Sequence, residues 1–370
     1  MAISKIDNNA LGTITSIDTG SATSLSLKTN GVTGLTIDAS QNVTMAGLLT
    51  ASFLKGMFKK DNSNAVSFVT TGAFSVSTQT QMYIEVNNTC LTIASGTVVS
   101  MPSPVVGTDY AIWVATNGTL SATSNHTTPP STNGRKIGGF HYAPGGNATA
   151  QSGGNNTPYI NDYSFWDLNW RFNGIDNRGM TLVGGKFWAD IYLLNADYTT
   201  NGTSKYNATI ADGSSPPIIS PFAGGNGSTR YGSFNWWEAS EVASWAGKRL
   251  PTYQEFSTLA YGTTENSSLG TDPVSTVLNA SYMSKWGCNQ SSGVLWQWGA
   301  DFGGSYTATA WVNNNGGRGQ PYNLSNAVIF GGSLYEPPYS GSRCSSWNIL
   351  PSFSASHVGA RCVGDHLRLV

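Results

Sequence analysis

The chain has 370 residues, a formal net charge of −1 and only 11% charged side chains. It is too long for one ordinary hydrophobic core, so we expect two or three domains. The balanced charge offers no basic surface for phosphate groups, which disfavours nucleic-acid binding, and the 11% of aromatic residues favours a folded, β-rich protein over a disordered one.

Residues 1–50 form the first predicted unit. Apolar and polar side chains alternate weakly here, most clearly over Ser24–Asp38. The alternation and the Asn30-Gly31 pair predict short strands joined by a turn. Because the unit has too little apolar material to bury a core by itself, we expect it to pack against other chains in an oligomer.

Residues 51–160 form a second β-rich unit. Period-two alternation and a hairpin-turn signal at Asn117-Gly118 predict a β-sandwich. His141 is a lone histidine, for which we expect a structural role. The run Gly145–Thr157 is typical of a linker or a long loop. Strands are predicted at Ala65–Val69, Met82–Val86, Tyr110–Val114 and Arg135–Tyr142.

The third unit, residues 161–370, is rich in aromatic residues and contains two predicted helices. Each begins with a capping box, in which Asn235 pairs with Glu238 and Thr252 pairs with Glu255. The helices are predicted over Asn235–Gly247 and Thr252–Tyr261. An alternative is that Glu241 and Glu255 are catalytic acids, or that Trp236 and Trp237 form a sugar-binding platform. Helix capping and core packing explain these four residues better.

The four cysteines are widely spaced and lack a C-x-x-C motif, so neither a zinc site nor a disulfide framework is indicated. Buried free thiols are the favoured interpretation, and a Cys344–Cys362 bridge is the alternative. The N-terminal residues contain no apolar core of a secretory signal, and no run approaches the ~18 apolar residues of a membrane span. We therefore expect synthesis in the cytoplasm without a signal peptide, and no membrane insertion.

The last segment, residues 327–370, has the pattern of a binding surface. Two apolar anchors, Val328–Phe330 and Val358–Arg361, flank a middle that is rich in Ser, Tyr, Pro and Asn. The pattern predicts strands that carry exposed loops, where binding residues concentrate. Aromatic anchors among small polar residues are typical of such surfaces, although an ordinary strand–loop–strand end would look similar. The residues singled out are Tyr335, Tyr339, Trp347, Asn348, Phe353 and His357.

Several longer motifs carry a resemblance to known proteins. The runs Gly247–Phe256 (GKRLPTYQEF), Leu295–Gly299 (LWQWG) and Gly359–His366 (GARCVGDH) resemble the C-type lectin-like fold of the formylglycine-generating enzyme kind. Together with Gly134–Gly145 (GRKIGGFHYAPG) and Gly179–Leu194 (GMTLVGGKFWADIYLL), they resemble the tropism determinants of phages. Members of that family are homotrimeric receptor-binding proteins of tail-fibre tips, and diversity-generating retroelements rewrite their last segment.

The resemblance covers the chain from about residue 50 to its end. It implies a mainly β fold with a C-terminal α+β domain: a trimerising β-prism-like segment at 1–50, a β-sandwich at 51–160 and a C-type lectin-like domain at 161–370, in which 327–370 is the variable region. It also implies a virion protein at the tail-fibre tip. Its partners would be a host cell-surface receptor (protein or glycan), further copies of itself and other tail-fibre proteins.

The resemblance further implies solvent-facing variable positions in the last segment, with a fixed frame between them. The family's mechanism mutates adenines, commonly in AAC or AAT codons, which cannot yield Glu, Gln, Lys, Met or Trp. Glu336 is therefore outside the variable set or uses another codon. The implied variable positions are Ser333, Tyr335, Glu336, Pro337, Tyr339, Ser346, Asn348, Ile349, Phe353, Ala355, His357 and Val358. The implied frame positions are Gly331, Gly332, Gly341, Arg343, Trp347, Pro351, Gly359 and Arg361.

Two other functions remain as alternatives. An enzyme of the formylglycine-generating type would use a close cysteine pair, but Cys344 and Cys362 lie eighteen positions apart. The other alternative is a purely structural trimeric fibre segment. Calcium-dependent sugar binding is disfavoured because Glu336-Pro337-Pro338 lacks the polar third member of the lectin calcium tripeptide. We expect no enzymatic activity and no cofactor, while the oxygen-rich loops leave a structural divalent cation open.

Overall fold

In the first fifty residues the computed structural model describes the strands β1 (Leu25–Thr29), β2 (Val32–Ile37) and β3 (Val43–Met45), and beyond them residues 55–304 and 325–369. The three strands form one antiparallel sheet with β2 in its centre. The first two strands lie in the stretch whose alternation predicts them. The rest of the predicted trimerising segment lies outside the described residues.

The second unit is a sandwich of short strands. They are β4 (Phe58–Lys60), β5 (Phe68–Gly72), β6 (Ser75–Thr78), β7 (Met82–Val86), β8 (Thr89–Ile93), β9 (Thr108–Val114), β10 (Leu120–Thr123), β11 (Arg135–Ala143) and β12 (Tyr159–Ile160). One sheet has the order β4-β7-β8, β5 pairs with β6, and β9 lies between β10 and β11. Alternating apolar side chains of these strands share one core, which includes Phe68, Ile84, Ile112 and Phe140.

The third unit contains the remaining strands and all the described α-helices. The strands are β13 (Trp166–Asp167), β14 (Trp170–Phe172), β15 (Met180–Val183), β16 (Phe187–Asp190), β17 (Trp296–Gly303), β18 (Asn326–Phe330), β19 (Ser345–Ile349), β20 (Val358–Gly359) and β21 (Val363–Arg368). The helices are α1 (Tyr198–Asn201), α2 (Trp236–Trp245) and α3 (Tyr253–Leu259), with 3-10 turns at Asp162–Ser164, Pro221–Ala223 and Ala280–Tyr282. The predicted mainly β fold with a C-terminal α+β part is confirmed.

Helices α2 and α3 begin as their sequences predict. The Asn235 side chain accepts hydrogen bonds from the Trp237 and Glu238 N–H groups, and Glu238 accepts in return from the Asn235 N–H at 2.6 Å. Thr252 and Glu255 form the same reciprocal pair at the start of α3. Both capping boxes are therefore confirmed. Among the described residues, no helix is long and apolar enough to cross a bilayer.

One sheet crosses the predicted boundary between the second and third units. Its strand order is β10-β9-β11-β13-β14-β21-β16-β15. Buried Asp167 on β13 binds back to the second unit, because Lys60 Nζ donates to its carboxylate at 2.7 Å and the Ser67 N–H and Oγ donate at 2.8 Å. Since the Ser67 N–H is engaged in this way, the strand predicted at Ala65–Val69 begins only at Phe68.

His141 strengthens the same junction. Its Nδ1 lies 2.9 Å from Asp109 Oδ1, and its Nε2 lies 2.9 Å from the hydroxyl of Tyr192 in the third unit. Asp109 Oδ1 also accepts a hydrogen bond from the Gly179 N–H at 2.8 Å. Because His141 is only 1% exposed and fully engaged, its predicted structural role is confirmed.

The run Gly145–Thr157 is a packed loop, so the first of its two predicted alternatives, a linker, is wrong. Gly146 and Asn155 exchange two backbone hydrogen bonds of 3.1 Å across the loop. Three backbone hydrogen bonds dock it on the third unit, from Ala148 N to Ser284 O, Gly153 N to Gly262 O and Gly154 N to Ala280 O.

Candidate functional site

The last segment starts on β18, a central strand of the sheet ordered β19-β18-β17-β20. All five residues of β18 are buried, so this strand is a rigid base. Two glycines with φ of +95° and +77°, Gly331 and Gly332, end it. A Cβ added to Gly332 would lie 2.2 Å from Ser340 Oγ. A larger residue at this position therefore meets both a steric clash and an unfavourable backbone conformation.

The loop after these glycines is shaped by Glu336. One carboxylate oxygen, Oε2, accepts hydrogen bonds from the Ser333 N–H at 3.0 Å and the Ser333 hydroxyl at 2.5 Å. The Glu336 carbonyl accepts from the Ser340 hydroxyl at 2.8 Å. Glu336 thus fixes the loop's backbone, and this leaves the aromatic residues beside it to face solvent.

Three of the predicted aromatic residues lie on the surface, whereas the half-buried Trp347 packs against the core around Phe330. Tyr335 is 64% exposed, Tyr339 75% and Phe353 39%. The His357 ring stands between two of them, at 5.5 Å from the Tyr335 centroid and 6.3 Å from the Phe353 centroid. We call Tyr335, His357 and Phe353 the aromatic row. Because the His357 ring contacts both of its neighbours, the row forms a preorganised apolar surface, which loses little side-chain entropy on binding.

The turn that carries Phe353 is anchored by the start of α2. The Trp236 N–H donates to the Pro351 carbonyl at 3.0 Å, and the Phe234 N–H donates to Ser354 Oγ at 2.9 Å. Because α2 is itself capped by Asn235, the position of this turn depends on a well-defined helix terminus. The sequence motifs of the helix therefore help to place a surface residue more than a hundred positions later.

The other predicted variable positions differ in exposure. Pro337 and Asn348 are exposed, and Ser346, Ile349, Ala355 and His357 are half-buried. The expectation that Ser333 and Val358 face solvent is wrong, since both are 0% exposed. Val358 pairs with Trp296 of β17 and joins the core beneath the sheet, and the Ser333 side chain turns inward to Glu336.

Sequence reasoning missed three exposed side chains between β18 and β20. Leu350 is 43% exposed, and Pro338 and Arg343 are also exposed. Arg343 was assigned to the frame by resemblance; its carbonyl does accept from the Tyr253 hydroxyl at 3.0 Å, but its side chain faces solvent. Leu350 directly precedes Pro351 in a segment without strand alternation. This position before a proline is the sequence signal that could have predicted an exposed side chain.

Arg361 holds the frame together from below. It is 0% exposed, and its guanidinium donates to five oxygen atoms in three neighbouring segments. Burial lowers the pKa of Arg361, yet the five acceptors satisfy its donors. The acceptors are Gln297 Oε1 and the carbonyl oxygens of Asp190, Ile191, Asn289 and Gln290.

The cysteines form no bridge, and the alternative Cys344–Cys362 pairing is wrong. Cys90, Cys288, Cys344 and Cys362 are all free thiols. Burial, with the nearby charges of Glu336 and Glu265, raises the pKa of Cys344 to about 11, and burial also raises the pKa of Cys288 and Cys362. Protonated, buried thiols are poor nucleophiles. Within the described residues, no group of three His, Cys, Asp or Glu side chains is arranged to hold a metal ion.

Comparison with known proteins gives consistent matches. Residues 56–167 match the family described as the Mtd second domain. A tail fiber receptor-binding protein of Bordetella phage BPP-1 is 48% identical over 328 residues, which cover 85% of this chain and 86% of the relative.

Solved structures agree with these sequence matches. The P3c variant of Major Tropism Determinant superposes with a TM-score of 0.85 at 45% identity, covering 90% of this chain and 93% of that chain. The M1 variant gives 0.84 at 45% identity, covering 91% and 95%. Since these structures have a C-type lectin-like fold, the predicted fold of the third unit is confirmed.

Proposed function

The chain belongs to the major tropism determinant family, and from this membership we propose that it is a receptor-binding protein of a phage tail fibre. The observation that carries the proposal is the exposed aromatic row on a frame held by β18 and Arg361. A rigid frame with exposed aromatic residues is the arrangement expected of a recognition surface, not of a catalytic centre.

The binding surface consists of the aromatic row and its exposed neighbours. Tyr335, Tyr339 and Phe353 supply apolar area, and their few rotatable bonds keep the entropic cost of binding low. Small polar side chains such as Asn348 and Ser346 supply hydrogen bonds around them. The proposed contact residues are Tyr335, Pro337, Tyr339, Ser346, Asn348, Ile349, Phe353, Ala355 and His357. Ser333 and Val358 are omitted because they are buried.

The same positions are proposed to be rewritten by a diversity-generating retroelement. Glu336 is proposed to lie outside the rewritten set, because its carboxylate shapes the loop through Ser333. The test is the phage genome, which should hold a near-copy of the coding sequence for residues 327–370 beside a reverse transcriptase gene. Adenines should stand at the contact codons of that copy, and a genome without such a copy contradicts this part of the proposal.

We also infer that the protein acts as a homotrimer at the fibre tip of the virion, held by other tail-fibre proteins. The low apolar content of residues 1–50 supports assembly with other copies. Three weak sites per trimer would reinforce one another through avidity. Light scattering should give three times the chain mass of 39.1 kDa, and a monomer at micromolar concentration would contradict the trimer.

The remaining alternatives are less well supported. An enzyme of the formylglycine-generating type needs reactive thiols, whereas burial raises the pKa of Cys344 and Cys362. A purely structural fibre segment gives no reason to expose Tyr335, Tyr339 and Phe353 together. We propose that binding needs no cofactor, and a chelator should leave binding unchanged.

The central experiment is a cell-binding assay with the full-length protein. The double variant Tyr335→Ala/Tyr339→Ala should lose binding to cells that the parent phage infects, by at least about tenfold, because aromatic hot spots contribute about 2 kcal/mol or more. The matched control is Tyr261→Ala, which removes a 45% exposed tyrosine outside the last segment. Undiminished binding of the double variant, with an unchanged melting temperature, would refute the proposed surface.

A further inference from the structure

A cavity lies at the junction of the second and third units, apart from the last segment. It has a volume of about 400 Å³. Its walls come from residues between 126 and 178, so none of them belongs to 327–370. Trp166 and Leu168 form apolar wall, and Ile175, which is fully exposed, stands at the rim. A pocket of this size accommodates a small organic molecule.

The cavity carries excess positive charge. Lys136, Arg171 and Arg178 line it, together with a single carboxylate, Asp176. Asp176 is engaged by Arg178 at 2.6 Å. Lys136 Nζ donates to the His126 carbonyl at 2.8 Å and lies 5.9 Å from the Trp113 ring centroid, and Arg171 donates to the carbonyls of Phe172 and Gly174. Neither Lys136 nor Arg171 forms an ion pair with a carboxylate of the described residues.

Two pKa shifts agree with this charge distribution. Burial lowers the pKa of Lys136, and the charge of Arg178 lowers it further against the opposing effect of Asp176. Burial also lowers the pKa of His126 against the raising effects of the Asp109 carbonyl and carboxylate, and the charges of Arg178 and Lys136 add to the lowering. An anion in the cavity would relieve the mutual repulsion of these groups.

One residue that lines the cavity has a buried donor without an acceptor. Asn177 is 6% exposed, and its Nδ2 makes no hydrogen bond. Buried polar groups are nearly always paired, and a buried group without a partner calls for an explanation. Asn177, Lys136 and Arg171 all line the cavity, so a ligand oxyanion there would lie among the polar groups of three side chains.

We infer that this cavity binds a small ligand that bears a carboxylate on a compact carbon skeleton. The two oxygens of a carboxylate suit a guanidinium and a neighbouring N–H donor, and the apolar wall of Trp166 and Leu168 covers the skeleton. The site is independent of the aromatic row, and its lining residues stay the same whatever occupies the last segment.

The test is calorimetric titration of the full-length protein at fixed ionic strength, with glucuronate, glucose and inorganic phosphate as separate probes. Glucuronate should bind saturably, and neutral glucose of similar size should not. Lys136→Met and Asn177→Asp should each raise the dissociation constant at least tenfold, because one removes a cation and the other replaces the donor with a second negative charge. The matched control is Lys186→Met, which removes an exposed lysine outside the cavity and should leave binding unchanged.

Three results would overturn the inference. One is the absence of saturable glucuronate binding to the unmodified protein. The second is equal affinity in Lys136→Met, Asn177→Asp and Lys186→Met, provided that all three melt as the unmodified protein does. The third is phosphate binding as tight as glucuronate binding, which would show that the carbon skeleton plays no part. Receptor binding by Tyr335→Ala/Tyr339→Ala is measured separately, so failure here leaves the proposed function untouched.

Discussion

The imidazole of His357 meets the Tyr335 ring edge to face, with centroids 5.5 Å apart and planes inclined at 81°. The same imidazole also contacts Phe353, so it connects two exposed rings that lie eighteen positions apart in the sequence. Aromatic pairs of this kind contribute about 0.5–1.5 kcal/mol each. His357 therefore orients its neighbours as well as offering a contact surface itself.

Replacing His357 with Ala should leave Tyr335 and Phe353 without their shared neighbour. We expect receptor binding to weaken by about tenfold, which corresponds to about 1.4 kcal/mol, while the melting temperature stays within about 2 °C. His357→Phe keeps an aromatic ring and should restore most of the affinity. Equal binding by the Ala variant and the unmodified protein would show that the row needs no central ring.

Removal of Arg361 tests the frame. Arg361→Met fills similar volume but removes the guanidinium from four backbone carbonyls and Gln297 Oε1. The Ile191 carbonyl keeps the Asn289 N–H and the Gln290 carbonyl keeps Gln297 Nε2, whereas the other three acceptors lose this donor. Since each buried unsatisfied group costs about 1–3 kcal/mol, we expect the free energy of unfolding to fall by at least about 3 kcal/mol. Arg343→Met, at an exposed position, should change it by less than about 0.5 kcal/mol. Urea unfolding of both variants makes the comparison, and similar stabilities would contradict the structural role.

Stability should depend on pH through Glu255. Burial alone would raise its pKa, but hydrogen bonds from Arg249 and Thr252 outweigh burial and hold the pKa below its ordinary value of 4.5. The unfolded chain therefore takes up the proton first as pH falls. The stabilisation is complete well above 4.5, declines as pH falls through that value and is lost below the folded-state pKa.

Glu255→Gln removes this titration. Between pH 7 and pH 3, the unmodified protein should lose about 1–2 kcal/mol more stability than the variant. Urea unfolding at several pH values measures the difference. Parallel pH profiles for the two proteins would mean that Arg249 and Thr252 do not favour the ionised form of Glu255.

Gly332→Ala tests the tight turn after β18. At φ of +77°, with a Cβ placed 2.2 Å from Ser340 Oγ, the alanine must shift the loop that Glu336 holds. We expect a loss of about 1–3 kcal/mol in stability, together with weaker receptor binding. Gly184→Ala is the matched control, since Gly184 also has positive φ but no atom lies within 4 Å of its added Cβ. Equal losses in both variants would trace the effect to backbone conformation alone.

Local signals in the sequence predicted the helix starts well. Asn235 with Glu238 and Thr252 with Glu255 define capping boxes within four consecutive residues, so nothing distant was needed to recognise them. Strands such as Met82–Val86 were likewise legible from alternation. The strand at Ala65–Val69 was misplaced because a carboxylate one hundred positions away, on Asp167, takes the Ser67 N–H.

Burial within the last segment was harder to predict, because it depends on partners from other segments. Val358 is buried because its strand pairs with Trp296. Ser333 is buried with its hydroxyl donating to Glu336, three positions on, in a hydrogen bond like that of a helix N-cap although no helix follows. Tyr335 and Ser333 stand two positions apart in one loop, yet one is exposed and the other is not. Sequence pattern gives the period of a strand or helix, whereas irregular loops have none.

The sheet that joins the second and third units has a mechanical consequence. The strand β21 follows the loops of the proposed binding surface after the short strand β20. It is held between β14 and β16, and β14 leads through β13 to β11. Tension applied to a surface ligand that these loops bind thus reaches the second unit along hydrogen-bonded strands and not through a flexible linker. A pulling force from the cell would be transmitted with little extension, and the orientation of the loops would follow that of the second unit.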